Sequence, residues 1–344
     1  MNPLTMTILM FSLAIGTSIT LMSHHWILAW IGLEINTLAI IPLMTKNFHP
    51  RAVEAATKYF LTQATASALI LFSCLYHAWK TGEWTMSHMT NPSAMLLSIA
   101  LMMKLGLAPL HFWMPDVLQG IPLSTGLILS TWQKIAPMIL MLQISSYINL
   151  NVAISMGFAS ILVGGWGGIS QTQVRKIMAF SSIAHLGWVV IVLKFSPLLA
   201  MFNFVMYLIL TTTMFFSLMA LSATNLSQIS TSWVKSPMLT SSMVLVLLSL
   251  AGLPPLMGFA PKLLISLELV KQGAILLVFF MTLASVLSLY FYLRLTYILV
   301  LTLAPNTTNS AITWRTPTKV YFASALNMLA LFTFPLSPAV ILFM

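Results

Sequence analysis

Long apolar stretches follow one another along almost the whole chain, and they restrict what it can fold into. About eleven of them approach the roughly 20 apolar residues with which an α-helix crosses a bilayer. Of the 344 residues, 59% are hydrophobic and 6% are charged, a balance that a soluble core cannot bury. The sequence predicts an all-α polytopic membrane protein with about eleven transmembrane helices, at roughly 3–22, 25–44, 58–79, 92–110, 123–144, 150–170, 175–194, 197–222, 238–260, 274–300 and 322–343.

Two of the predicted helices are interrupted by proline and glycine. One stretch, 104–116, reads Lys-Leu-Gly-Leu-Ala-Pro-Leu-His-Phe-Trp-Met-Pro-Asp, and the other, 250–262, reads Leu-Ala-Gly-Leu-Pro-Pro-Leu-Met-Gly-Phe-Ala-Pro-Lys. Proline removes a backbone donor and clashes with the preceding turn, so a helix cannot continue unbroken. In lipid a broken helix is tolerated only inside protein or beside a wet cavity. The sequence therefore predicts two broken helices in the interior, over 92–116 and 238–271.

The two interrupted stretches align with each other without a gap, at an offset of 146 residues. Paired interrupted segments in two halves of a chain are typical of transporters built from repeats. We therefore expect the whole chain, 1–344, to form a single transmembrane domain with two repeat halves. The aligned pairs are Gly106 with Gly252, Pro109 with Pro255, Trp113 with Phe259, and Pro115 with Pro261.

Lysine and arginine between the predicted helices are more frequent on the N-terminal side of the membrane. Positive loops stay on the inner side, so the N-terminus is predicted inside and, after eleven helices, the C-terminus outside. The two broken helices then run in opposite directions, as an inverted repeat requires. The N-terminal side holds Lys46, Arg51, Lys58, Arg175, Lys176, Lys235, Arg315 and Lys319, and the other side holds Lys80, Lys194 and Lys271.

Four charged residues lie inside the apolar stretches: Glu34, Lys104, Lys134 and Lys262. Insertion scales put each such charge at roughly 2.5–3.5 kcal/mol, so these groups must face the interior, pair with one another, or touch water. Removal from water disfavours the charged form of either residue type, which allows a proton to be taken and released. We therefore predict a proton relay. The alternative is a static ion pair of Glu34 with one lysine, which leaves the other lysines unneutralised.

Weaker candidates leave more than one interpretation open. His185 lies inside a predicted helix and is either a further relay group or a structural hydrogen-bonding residue. Asp116 is either a gate at the end of the path or a surface charge, and for Glu268 the sequence favours a surface charge. Close helix packing accounts for the glycines at 164, 165, 167 and 168.

Several other function classes are excluded by composition. The net charge of +10 is explained by loop topology and anionic lipid headgroups, so we expect no nucleic-acid partner. Cys74 is the single cysteine, which excludes a cysteine-based metal or iron–sulfur site within the chain. No Gly-x-Gly-x-x-Gly unit follows a strand pattern, so no dinucleotide-binding domain is expected. We expect neither a cofactor nor a metal in this chain.

Five segments carry a resemblance that covers the chain from end to end. The segments 104–120, 181–187 and 250–262 resemble the antiporter-like subunits of respiratory complex I. The segments Glu-Ala-Ala-Thr-Lys-Tyr-Phe at 54–60 and Thr-Trp-Gln-Lys-Ile-Ala-Pro at 131–137 narrow the resemblance to subunits of animal mitochondria. It implies a core membrane-arm subunit that takes part in proton translocation across the mitochondrial inner membrane, coupled to electron transfer from NADH to ubiquinone.

The resemblance also implies where the functional parts lie. Glu34, Lys104, Lys134 and Lys262 fall on the hydrophilic axis of the family, with coupling at the first two and charge passing through Lys134 to Lys262. The N-terminus would lie in the matrix and the C-terminus in the intermembrane space. Other membrane-arm subunits and inner-membrane lipids such as cardiolipin would be the partners. NAD, FMN, iron–sulfur clusters and ubiquinone would belong to other subunits.

Two other functions stay open for a chain of this kind. One is a stand-alone cation/proton antiporter, from whose class the repeat could descend. The other is an inert membrane scaffold, against which the four interior charges argue, because a scaffold has no use for their energetic cost.

Overall fold

The computed structural model describes residues 2–46, 49–86, 89–234, 236–301 and 321–332. In this part of the chain the structure is helical, and two isolated bridges, His25 with Thr85 and Gln173 with Asn225, are its extended pairings. The helices are Pro3–Met22 (α1), Trp26–Met44 (α2), Pro50–Thr81 (α3), Asn91–Leu105 (α4), Trp113–Gly120 (α5), Leu123–Ser130 (α6), Trp132–Gln143 (α7), Leu150–Ile169 (α8), Val174–Val192 (α9), Pro197–Leu221 (α10), Leu226–Ser230 (α11), Pro237–Ala251 (α12), Phe259–Lys271 (α13), Ile275–Leu301 (α14) and Tyr321–Phe332 (α15).

The chain divides into two compact units, 1–160 and 161–344. In the first unit, α1 packs along α2, α3 packs against α2, α4 and α5, and α4 also contacts α7. In the second unit, α10 contacts α9, α12, α13 and α15, while α14 packs against α11, α12 and α13. Each unit therefore has a helical core of its own.

Eight helices or helix pairs in the described residues are long and apolar enough to cross a membrane. They are α1, α2, α3, the pair α6 and α7, α8, α9, α10 and α14, whereas α4 and α12 are apolar but have 15 residues each. These findings fit a multi-pass membrane protein, and the count of about eleven stays a prediction. Part of the predicted helix 322–343 and the loop residues Lys235, Arg315 and Lys319 lie outside the described residues.

The helix before each proline-rich stretch ends at a glycine. Gly106 follows α4 with a φ of 79°, and Gly252 follows α12 with a φ of 87°. Glycine adopts this left-handed conformation without the clash that a Cβ atom would cause. The residue after each glycine closes the last turn of the helix. The Leu107 amide donates to the Met102 carbonyl, and the Leu253 amide donates to the Leu248 carbonyl. The interpretation of α4 with α5, and of α12 with α13, as interrupted membrane helices stays a prediction.

The glycines near the end of α8 lie against neighbouring helices, as the sequence indicated. A Cβ atom on Gly164 would lie 2.7 Å from the backbone nitrogen of Ala184 in α9. A Cβ atom on Gly167 would lie inside contact distance of the Phe180 ring. The absence of side chains at these positions allows the two helices to approach closely.

Candidate functional site

A small polar cavity in the first unit brings two of the predicted relay lysines together. It leaves about 20 Å³ for the centre of a water molecule, which is enough for one water. Helices α2, α3, α4 and α7 all contribute side chains, so the cavity lies inside the packed unit. The lining residues are Leu33, Asn36, Thr37, Tyr59, Gln63, Lys104, Trp113, Leu129, Gln133, Lys134 and Pro137.

Lys104 lies in the last turn of α4, two residues before Gly106, and its side chain is 5% exposed. Among the residues that the structure describes, its Nζ atom has no hydrogen-bond partner. The side-chain amide of Asn36, which lines the same cavity, is also buried without a partner in this part of the chain. Buried polar groups are normally hydrogen-bonded to protein or to ordered water. The polar groups without a described partner in this cavity are therefore unusual.

Lys134 lies on α7 and is 3% exposed. The helix is interrupted just before it, since α6 ends at Ser130 and Thr131, with a φ of −116° and a ψ of −71°, separates α6 from α7. The neighbouring side chain, Gln133, donates through Nε2 to the Asn36 carbonyl at 2.9 Å. This bond joins α7 to α2 at the edge of the cavity.

Glu34 lies on α2 and is partly buried. Its Oε2 atom accepts a hydrogen bond from the Thr37 hydroxyl at 3.2 Å, while Oε1 is buried without a partner in the described residues. Among the ion pairs of the described residues, none joins Glu34 to Lys104.

The remaining two candidates, Lys262 and His185, lie in the second unit. Lys262 is in the first turn of α13, and its Nζ atom donates to the carbonyl of Ala251, the last residue of α12, at 2.9 Å. His185 lies on α9 and is 9% exposed. Its Nε2 atom shares a 3.4 Å hydrogen bond with the hydroxyl of Tyr292 on α14, and its ring centroid lies 6.0 Å from that of Tyr207 on α10.

A buried hydroxyl cluster surrounds His185. Tyr207 hydrogen-bonds to the side chains of Ser182 and Thr211, and Tyr292 hydrogen-bonds to that of Ser181. The hydroxyl groups lie on three helices, and each can both donate and accept a hydrogen bond. The structural hydrogen-bonding interpretation of His185 and the relay interpretation are both compatible with this arrangement.

Asp116 and Glu268 lie away from these buried groups. The Asp116 carboxylate pairs with Lys58 Nζ at 2.9 Å, and Lys58 also pairs with Glu54 at 2.9 Å. These three side chains are between 43% and 62% exposed, which favours the surface interpretation of Asp116. Glu268 lies 3.9 Å from the exposed Lys271.

Two family models together cover most of the chain. The model described as "NADH:quinone oxidoreductase/Mrp antiporter, TM" matches residues 23–288, and the one described as "NADH dehydrogenase subunit 2 C-terminus" matches residues 289–341. A relative from Aquarana catesbeiana, named NADH-ubiquinone oxidoreductase chain 2, is 65% identical over 99% of this chain and 100% of its own length. The chain belongs to the NADH-ubiquinone oxidoreductase chain 2 family.

Solved structures agree with this family at the level of the fold. A chain of respiratory complex I from Thermus thermophilus superposes with a TM-score of 0.82 at 27% identity, covering 96% of this chain and 79% of that one. A chain of the Mrp complex from Dietzia sp. DQ12-45-1b gives a TM-score of 0.83 at 18% identity, with 97% and 75% covered. The resemblance inferred from the sequence motifs is confirmed, and the fold is that of the antiporter-like subunits.

Several uncharged polar residues that line or surround the candidate groups were not predicted from the sequence. Asn36 and Gln133 lie within two residues of Glu34 and Lys134, so their closeness to an interior charge was a signal that could have been used. Gln63 was detectable as an amide within an apolar stretch. Tyr207 and Tyr292 gave no such signal, because a tyrosine in an aromatic-rich membrane helix looks like ordinary packing.

Proposed function

We propose that this chain is a core membrane-arm subunit of respiratory complex I, the proton-translocating NADH:ubiquinone reductase, and takes part in proton translocation. The coupled reaction is electron transfer from NADH to ubiquinone. Family membership, near-complete coverage of the relatives and the antiporter-like fold support this function. NAD, FMN, iron–sulfur clusters and ubiquinone are bound by other subunits in this proposal.

The observation that best supports a role in proton transfer is the cavity that Lys104 and Lys134 share. Two buried lysines share it, one of them has no described partner, and one water molecule fits between the lining side chains. Such a water needs two to four polar partners, which Asn36, Gln133 and the lysines supply. We assign the coupling to Glu34 and Lys104, with charge passing through Lys134 to Lys262.

His185 and Lys262 supply the corresponding ionisable groups of the second unit. The side chain of Lys262 contacts the C-terminal end of α12, and His185 hydrogen-bonds to a tyrosine hydroxyl. We assign both residues to the proton relay with Glu34, Lys104 and Lys134. Neither residue requires a metal or a bound cofactor for this role.

The membrane arrangement is part of the proposal. The chain forms a single transmembrane domain with about eleven helices, and an inverted repeat relates the broken helices 92–116 and 238–271. It lies in the mitochondrial inner membrane with its N-terminus in the matrix and its C-terminus in the intermembrane space. Its partners are other membrane-arm subunits and lipids such as cardiolipin.

Replacing Lys134 by methionine tests the proton-transfer role. The substitution keeps an unbranched side chain of similar length and removes the ionisable group. In the assembled complex we expect NADH–ubiquinone turnover to fall by about tenfold or more, which corresponds to a barrier raised by ~1.4 kcal/mol. Lys80→Met is the matched control, since Lys80 is exposed at the end of α3. Wild-type turnover and proton yield in an intact Lys134→Met complex would refute the role.

The comparisons favour the complex I subunit over a stand-alone cation/proton antiporter. The near-full-length relative carries the name of a complex I chain. The purified polypeptide in liposomes distinguishes the two, because a stand-alone antiporter would exchange cations for protons without any other subunit.

A further inference from the structure

Lys262 makes its hydrogen bond to the end of a helix. The bond runs from Nζ to the carbonyl oxygen of Ala251, at 2.9 Å. The last carbonyls of an α-helix have no partner within it and carry the negative end of the helix dipole. Among the described ion pairs of the second unit, Glu268 pairs with Lys271 and no carboxylate pairs with Lys262. The C-terminal end of α12 therefore occupies the position in which a carboxylate paired with Lys262 would be expected.

Gly252 is the residue that leaves room for this contact. It follows Ala251 directly, with a φ of 87°. A Cβ atom at this position would lie 2.9 Å from Nζ of Lys262, 3.2 Å from Cδ and 3.3 Å from Cε. The atoms in the way belong to the far end of a flexible side chain, so an added methyl group would displace the ammonium group, in addition to the strain that any side chain meets at this φ.

The corresponding helix end in the first unit, the C-terminal end of α4, accepts a hydrogen bond from a different kind of side chain. There the Trp113 indole Nε1 donates to the Met103 carbonyl at 3.3 Å. The residue aligned with Trp113 in the second unit is Phe259, which has no donor, and the residue aligned with Lys262 is Asp116, which pairs with the exposed Lys58. An uncharged group closes the first helix end, whereas in the second unit the end binds the relay lysine itself.

We propose that the C-terminal end of α12 is the counter-charge of Lys262, and that Gly252 is a positioning residue that keeps this place open. This inference rests on the proposed proton-transfer function of Lys262. The ammonium form donates a charge-assisted hydrogen bond to the carbonyl, and the neutral amine donates a weaker one. Protonation therefore holds the side chain on the helix end, and loss of the proton releases it.

A double-mutant cycle in the assembled complex tests the inference. The variants are Gly252→Ala, Lys262→Met and the two together, measured by NADH–ubiquinone turnover per intact complex. We expect Gly252→Ala alone to lower turnover by about tenfold or more, the range that loss of one charge-assisted hydrogen bond gives. In the Lys262→Met background it should add no more than the effect of backbone strain, because the ammonium group that it displaces is gone. Equal losses in both backgrounds would show a purely structural role and overturn the proposal.

Gly273→Ala is the control for backbone strain. Gly273 also has a positive φ, 76°, and a Cβ atom there would meet nothing within 4 Å. We expect its turnover to stay within about twofold of wild type. A loss as large as that of Gly252→Ala would assign the effect to strain and contradict the proposal.

If the Gly252→Ala complex fails to assemble, a density map of the wild-type complex tests the inference instead. Nζ of Lys262 within hydrogen-bond distance of the Ala251 carbonyl supports the inference, and Nζ paired with a carboxylate overturns it. The map is independent of the proton-transfer test. Wild-type proton yield in Lys262→Met would refute the proposed function of Lys262 while leaving the observed position of its ammonium group unaffected.

Discussion

At the scale of single residues, the interior lysines differ in what they contact. Lys104 has no described hydrogen-bond partner, whereas Lys262 donates to a helix carbonyl. The sequence could nominate both lysines, because a charge in an apolar stretch is visible without a structure. It could not distinguish them, since the difference depends on Trp113 occupying one helix end and Lys262 the other.

Lys104→Met should separate the function of this lysine from its effect on stability. The substitution removes a buried group without a described partner, so we expect the melting temperature of the complex to stay constant or rise. Turnover should nevertheless fall by about tenfold or more. Leu97→Ala on the same helix is the opposite control, because truncating a fully buried leucine costs about 2–5 kcal/mol. A clear drop in melting temperature for Lys104→Met would show that Lys104 stabilises the fold.

At the scale of elements, the helix ends were predictable and the polar contacts between helices were not. Proline and glycine act locally, so the stretches at 104–116 and 250–262 marked the ends of α4 and α12. The interruption of the helix at Thr131 has no such signal, because neither proline nor glycine precedes it directly. The bond from Gln133 to the Asn36 carbonyl joins residues far apart in the sequence and depends on how α2 and α7 pack.

Gly164→Ala should weaken the packing of α8 against α9. The added Cβ atom would lie 2.7 Å from a backbone nitrogen, which cannot move as a side chain can. Overpacking of this kind typically costs about 1–3 kcal/mol, so the yield and melting temperature of the complex should fall. Gly82→Ala is the control, since a Cβ atom there meets nothing within 4 Å although φ is 76°. Stability equal to that of the wild-type complex would contradict close packing at Gly164.

Asp116→Asn tests whether this residue is a gate at the end of the proton path or part of a surface ion pair between α3 and α5. The Lys58–Asp116 pair is exposed, and exposed ion pairs contribute little to stability. We therefore expect a small loss of stability and turnover within about twofold of wild type. Glu54→Gln, which removes the other partner of Lys58, should behave in the same way. A tenfold loss of turnover with Asp116→Asn alone would establish a gate instead.

At the scale of the whole molecule, composition and motifs were sufficient for the class and the family. The apolar stretches predicted a polytopic helical protein, and the motifs around Lys104, His185 and Lys262 identified the antiporter-like subunits, as the relatives confirm. The inverted repeat, the orientation and the five relay residues stay predictions. Each depends on the position of the membrane or on proton movement, which the fold of one chain does not report.

The most direct test of the account is a map of the assembled complex that resolves ordered water around Lys104 and Lys134. The account predicts density for a water molecule in the cavity that they share, within hydrogen-bond distance of Lys104 Nζ and of at least one further lining side chain. A dry cavity, or lysine side chains that face lipid, would contradict the claim that these buried groups exchange protons through water.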